Sequence, residues 1–263
     1  MHSQRNFGYP WAINYGHLIF GAFLLLIFWL GWVRKWHKAI LAFLFLATLW
    51  ALSAWVFVRF GFDMNGRASM PTAAFLQSGS GRVLDMGAGT GRSTLMVLEN
   101  RPHTTVVALD QFGESYEQHF GKPPGGESTI DEGRAALIRN LQIAGVDQRV
   151  TVRPGDMRHM PLDSASFDAI VSAYAIDHLG HNDAALAIHE ANRVLKPGGE
   201  FLLMVIAKDG WLTYTFGPLL MHAHMTAADY WTQLLRDSGF QIVEEGRQPA
   251  TKYVLARKTA DAS

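Results

Sequence analysis

The sequence predicts an α/β protein: a doubly wound, mainly parallel sheet of seven strands, preceded by two hydrophobic membrane helices. Three observations carry this. Short apolar, β-branched runs alternate with helix-spaced segments from Arg82 onward. A glycine-rich stretch, "DMGAGTG" (85–91), joins the first such run to a helical segment. Before them, the first sixty residues hold two long apolar runs of a different kind.

Those runs are "LIFGAFLLLIFWLGWV" (18–33) and "AILAFLFLATLWALSAWVFV" (39–58). The second has 20 residues without a charge, the length that crosses a hydrocarbon core of about 30 Å. The first is shorter, and Trp11 to Tyr15 extend it. Both are apolar all round, which suits lipid better than a soluble core. Trp11, Tyr15, Trp32, Trp36 and Trp55 sit near the run ends, where amphipathic rings prefer the headgroup layer. A cleaved signal peptide fits badly, because the apolar stretch is long and duplicated. We therefore expect an N-terminal segment (1–15) and a helical hairpin (16–60, helices about 16–33 and 39–58). Its apolar surface also offers a face for self-association into a homo-oligomer. The connector "RKWHK" (34–38) is basic, and the charge rule would place it in the cytoplasm.

Residues 61–78 read as a linker plus a short helix, with Pro71 at its first position and "TAAFLQ" after it. The α/β stretch spans 79–258, with a tail at 259–263. "RVLDMG", "TTVVALD", "RVTVRPGD", "FDAIVSAYAI" and "EFLLMVIA" read as strands, and "QIVEEG" and "KYVLARK" as a closing hairpin-like pair. "STLMVLENR", "DEGRAALIRNLQIAG", "HNDAALAIHEANRVL" and "TAADYWTQLLRDSGF" read as helices. Asn182 or Asp183 caps the third of these, which "KPGG" stops, and Thr226 caps the fourth.

Lys plus Arg equals Asp plus Glu at 23 each, so no net charge favours a polyanion, and nucleic acid is not expected as a partner. With no cysteine, disulfides, thiolate nucleophiles and cysteine-based metal sites are excluded.

A glycine loop between strand and helix sets backbone N–H groups at a helix N-terminus, on the sheet edge where ligands bind. The nicotinamide pattern lacks its third glycine here, because Arg92, Ser93 and Thr94 follow Gly91, and no Gly-Lys-Ser/Thr completes a Walker loop. The chain instead resembles the class I S-adenosylmethionine-dependent methyltransferases over roughly 79–258. Four signals in order carry the likeness: Asp85-x-Gly87-x-Gly89-x-Gly91, Asp110 at the end of the second strand, Asp156-Met157 after the third, and "RVLKPGG" (193–199) before the fifth. The last is common in the branch resembling ubiquinone/menaquinone and sterol methyltransferases. The resemblance implies a Rossmann-like sheet with the last strand antiparallel. It implies S-adenosyl-L-methionine as cofactor, held by Asp85, Gly87, Ala88, Gly89, Gly91, Asp110, Gln111, Asp156, Met157 and Ser172. Asp110 would take both ribose hydroxyls and Asp156 the adenine amine. Asp85 would orient the loop or the methionine amine, or merely cap the following turn.

That cofactor carries a sulfonium and no phosphate, so the loop needs no lysine. Methyl transfer needs alignment above all, and a base only where the acceptor must lose a proton. Tyr174, Asp177 and His178, in "AYAIDHLGH" after the fourth strand, are the catalytic candidates; His178 comes first because histidine as a residue type suits proton transfer near neutral pH. Two aromatic segments read as walls of the acceptor site: 111–129, long enough for a lid, and 209–225 after the fifth strand, where the family shapes its acceptor pocket. Tyr116 and His119 in the first, Trp211 and His222 in the second, and His181 after the fourth strand are the acceptor-binding candidates. No metal is expected.

The expected function is a membrane-anchored methyltransferase acting on a hydrophobic or amphiphilic small molecule (lipid, quinone or sterol-like). The alternatives are a soluble acceptor with the hairpin only localising the enzyme, and an S-adenosylmethionine-binding protein without catalysis. The cofactor is cytoplasmic, which places the domain there and sets it against the basic connector.

Overall fold

The structure, a computed structural model, describes residues 5, 7, 8, 11–62, 68–112, 132–207, 209–220 and 227–259. It divides into two bodies, an α/β body (1–8, 67–208, 224–263) and a helical body (9–66, 209–223).

In the α/β body, β1 (Ser80–Met86), β2 (His103–Asp110), β3 (Val150–Pro154), β4 (Phe167–Ala173) and β5 (Leu195–Ile206) run parallel. β6 (Phe240–Gln248) and β7 (Thr251–Lys258) form a hairpin, and β7 lies antiparallel to both β5 and β6. The sheet order is β3-β2-β1-β4-β5-β7-β6. The strands read as unbroken apolar runs because helices cover both faces. Val83 to Met86 are all buried, as are Val106 to Leu109 and Ala169 to Val171. Helices α3 (Arg92–Asn100), α4 (Glu132–Ala144), α5 (His181–Val194) and α7 (Ala228–Asp237) follow β1, β2, β4 and β5. Leu84, Ile170, Phe201 and Leu203 form one continuous core with Ala184, Ile188 and Trp231. Order reverses between β1 and β4, so their carboxyl ends open the crevice in which such sheets bind ligands.

Four local expectations are corrected. Residues 73–78 form turns, not a short helix. Leu76 takes a left-handed φ of 47°, which ends any helix, and long-range partners hold the turn. Arg101 donates to the carbonyls of Ala73 and Phe75, and Glu200 accepts from the Leu76 amide. Helix α5 starts at His181 with Gly180 as its cap residue and no side-chain cap. Asp183 turns to Arg158 instead, at 2.7 Å. Ala227, not Thr226, precedes α7 as its cap residue. β5 also begins earlier than expected: Leu195 pairs with Phe167 before a register shift to Ala169–Glu200, so "KPGG" lies inside the strand.

The helical body contains α1 (Trp11–Val33), α2 (Lys38–Val56) with a π-helical turn at Phe57–Phe62, and α6 (Gly210–Leu220) from the segment after β5. Both α1 and the α2 extension are long and apolar enough to cross a membrane, by length and composition. Gly21 lets α1 approach Ala51 and Leu52 of α2 closely. Large apolar side chains point away from the contact, with Phe43 69% and Trp29 58% exposed.

Candidate active site

The glycine loop leaves β1 in a conformation other residues resist. Gly87 and Gly91 have φ of 86° and 92°. A Cβ on Gly87 would overlap the Ala175 methyl, and one on Gly91 would overlap Leu137. The loop is therefore pressed between the end of β4 and helix α4. Gly89 differs: among the described residues, nothing lies within 4 Å of where its Cβ would stand.

The loop's amides are spent internally. Gly87 and Ala88 donate to the Leu109 carbonyl, Gly91 donates to Ala88, and Gly89 donates to Asp110 Oδ2 at 2.6 Å. The expectation that these N–H groups face a ligand is thus not met at those four positions. The second strand supplies acceptors that tighten the loop.

Asp85, at the end of β1, is fully buried. Its carboxylate accepts from Ser93 Oγ and Thr94 Oγ1 in the first turn of α3, so it ties strand to helix across the loop. Burial pushes its pKa up to about 6 against those hydroxyls. Asp110, at the end of β2, accepts the Gly89 and Gln111 amides on different oxygens. Burial raises its pKa more than the two amides lower it. An ionised carboxylate has about four acceptor sites, so two remain for a ligand's hydroxyls. Asp156 receives a bidentate grip from Arg158, which also reaches Asp183. The guanidinium holds its carboxyl below the usual range, with a further bond from Gln111. Met157 reaches the loop, its Cε 3.1 Å from the Cβ position of Gly87. Asp85, Asp110, Gln111, Asp156 and Met157 thus share the edge formed by β1, β2 and β3.

A second group stands after β4. Ser172 is fully buried, its Oγ without a partner among the described residues. Tyr174 takes a left-handed φ of 56°, and its hydroxyl bonds Thr251 at 2.8 Å. Asp177 Oδ2 accepts the Ile206 amide, while Oδ1 is buried with no partner among the described residues. Burial raises the Asp177 pKa, opposed by that amide and by the charge of His178, which is itself exposed. His181 stacks on Tyr230, ring centroids 4.4 Å apart. Trp211 belongs to the helical body and stacks on Phe57. Tyr116, His119 and His222 lie outside the described residues.

Sequence reading missed three sets of partners. Ser93 and Thr94 were visible as paired hydroxyls opening a helix. Arg158 was visible two residues after Asp156. The third had no signal: Phe7 is buried, and its carbonyl accepts from Thr90 Oγ1 of the glycine loop at 3.0 Å, while Arg5 pairs with Glu99.

A loop with four of its amides satisfied and carboxylates on either flank discriminates by charge. It has little for a phosphate, which needs N–H donors, and suits a ligand rich in hydroxyl, amine and positive charge. The residues present therefore fit S-adenosylmethionine.

Comparison with known proteins agrees with that fit. Residues 84–203 match the family described as "Methyltransferase domain". An uncharacterized methyltransferase of Mycobacterium tuberculosis is 33% identical over 154 residues, covering 56% of this chain and 51% of the relative. The ubiquinone/menaquinone biosynthesis C-methyltransferase UbiE of Syntrophotalea carbinolica is 29% identical over 56% of this chain and 52% of its own length. The chain thus spans about half the length of these relatives. Among solved structures, an O-methyltransferase family 2 protein from Planctomyces limnophilus, in complex with apigenin, aligns with a TM-score of 0.53 at 17% identity, covering 75% of this chain and 55% of that one. The [4+2]-cyclase SpnF aligns at 0.51 and 18%, covering 69% and 75%. These two likenesses concern the fold.

Proposed function

We propose, from the match of residues 84–203 to the methyltransferase-domain family, that the chain is a membrane-anchored, class I S-adenosylmethionine-dependent methyltransferase of a hydrophobic or amphiphilic small molecule. The observation that carries the chemistry is the acceptor-rich edge around Gly89, with Asp110 at its centre. When bound, S-adenosylmethionine supplies a methyl group already activated for direct displacement. Asp110 offers its remaining lone pairs to the ribose hydroxyls. Asp156, fixed by Arg158, accepts from the adenine amine, and Met157 packs on the ring. Asp85 works at one remove, setting the loop through Ser93 and Thr94. Alignment of this kind supplies roughly 7–11 kcal/mol of a displacement barrier.

His178 is the group we assign to the acceptor's proton, next in the chain to the Asp177 carboxyl that accepts the Ile206 amide. Both stand on the edge of β4 and β5, beside the β1 loop in the sheet order.

The membrane part of the reading rests on two helices of bilayer length whose outward side chains are large and apolar. The apolar acceptor class follows from the anchor and from the relative named for ubiquinone and menaquinone biosynthesis. With a cytoplasmic cofactor, the α/β body lies in the cytoplasm.

Membranes containing the full-length chain, incubated with methyl-tritiated S-adenosylmethionine and cell lipid extract, test this. Label should enter the organic-extractable fraction and disappear with Asp110→Ala. Label confined to water-soluble products would assign the hairpin a localising role only.

A further inference from the structure

We infer that helix α6 is a third lipid-embedded element, clamped to both helices of the hairpin at positions remote from the Arg34–Lys38 turn. The inference rests on the anchoring reading above and extends it to a part of the methyltransferase stretch itself.

The clamp starts with a proline. Pro218 has no backbone N–H, so the carbonyl of Tyr214, four residues earlier in α6, lacks its helical donor. That carbonyl accepts instead from Trp50 Nε1 of α2, at 3.0 Å. The next carbonyl, Thr215, accepts from His17 Nε2 of α1, at 2.9 Å. Each hairpin helix thus contributes one aromatic N–H to successive carbonyls of α6. Ser53 of α2 bonds the Tyr214 hydroxyl, Trp211 stacks on Phe57 with ring centroids 4.5 Å apart, and Phe216 lies against the His17 ring. A carbonyl stripped of its donor is costly in hydrocarbon, and both partners here come from the anchor.

Depth follows from position. His17 is six residues into α1, about 9 Å along it at the helical rise. Trp50 and Ser53 occupy the last two turns of α2. The clamp is therefore remote from the Arg34–Lys38 turn. Helix α6 carries no charge over its 11 residues, and Trp211 and Tyr214 are 54% and 42% exposed at its beginning. Eleven residues reach about 16 Å, half a bilayer core. Uncharged, aromatic and short, α6 matches an element lying in the headgroup and upper acyl region of one leaflet.

The native absence of cysteine makes the test direct. Single cysteines at Thr213 in α6, Phe43 in α2 and Gln241 in β6, all exposed, are labelled with an environment-sensitive fluorophore in full-length protein in phospholipid vesicles. Nitroxide lipids should quench the Thr213 and Phe43 labels, and aqueous iodide should quench only the Gln241 label. In a His17→Ala/Trp50→Ala background, the Thr213 label should lose its lipid quenching while the Phe43 label keeps it. Iodide quenching at Thr213 with lipid quenching at Phe43 overturns the inference and leaves the anchor standing. Absence of lipid quenching at both positions overturns the anchor and this inference together. Lipid quenching at Thr213 that survives the double substitution overturns the clamp. None of these readouts depends on methyl transfer, so a failure of the proposed activity is seen separately.

Discussion

Asp85 is surrounded by hydroxyls rather than cations, and that decides its titration. Burial lifts its pKa to about 6, so the folded state binds this proton more tightly than the unfolded chain. The stability it contributes is complete below about pH 4 and is lost as pH rises through about 6, a swing of roughly 3 kcal/mol. Denaturant titrations of wild type and Asp85→Asn between about pH 4 and pH 7 should show a flatter profile for the variant; equal slopes would remove burial as the cause. Asp110→Ala should weaken S-adenosylmethionine binding by about ten- to hundred-fold in calorimetry, the worth of charge-assisted hydrogen bonds to the ribose. His178→Ala should leave that affinity unchanged and lower kcat by about a hundred-fold. Candidate site residues by β1, β2 and β3 could be named from the sequence because each lies at or just past a strand's end, and strand ends share one edge. Their partners could not, since neither the inward turn of the loop amides nor the direction of Ser93 and Thr94 is set by spacing.

At the scale of elements, the parallel strands were legible because burial on both faces demands continuous apolar sequence. Boundaries set by distant partners were not. Residues 73–78 have helical propensity, yet Arg101 and Glu200 take their carbonyls and an amide for a different turn. Removing that guanidinium in Arg101→Ala should destabilise the α/β body by about 1–3 kcal/mol, the cost of stranding its acceptors. Hydrogen exchange at the Leu76 amide should accelerate alongside; slow exchange there would show that the turn holds itself. The start of α5 failed for a related reason, as Asp183 spends its carboxylate on Arg158 rather than on the helix amides. Position 175 shows the converse case. Nothing local marks Ala175, but only a small side chain there admits the closely packed Gly87.

Across the whole molecule, the chain leaves the α/β body after Gly8 and re-enters it after Gly66. Helices of 23 and 19 residues, about 35 and 29 Å long at the helical rise, lie between those points. With both ends of the hairpin returning to one body, the Arg34–Lys38 turn should emerge on the opposite membrane face, against its charge preference. A membrane-impermeant thiol reagent should therefore label Trp36→Cys and Gln241→Cys from opposite sides of sealed vesicles. Labelling of both from one side would establish a shallow re-entrant hairpin instead. The sequence showed the conflict between basic connector and cytoplasmic cofactor, but not the ties of Phe7 to Thr90 and of Arg5 to Glu99 that join the chain before α1 to the body that follows α2.

The inward-facing amides at Gly87, Ala88, Gly89 and Gly91 also bear on competition inside a cell. Adenosine mono-, di- and triphosphates share the adenine and ribose that this crevice grips. With those four amides committed to Leu109, Ala88 and Asp110, the loop offers their phosphates fewer N–H donors and sets a carboxylate nearby. Discrimination against the abundant energy nucleotides is thereby a by-product of how the turn closes on itself.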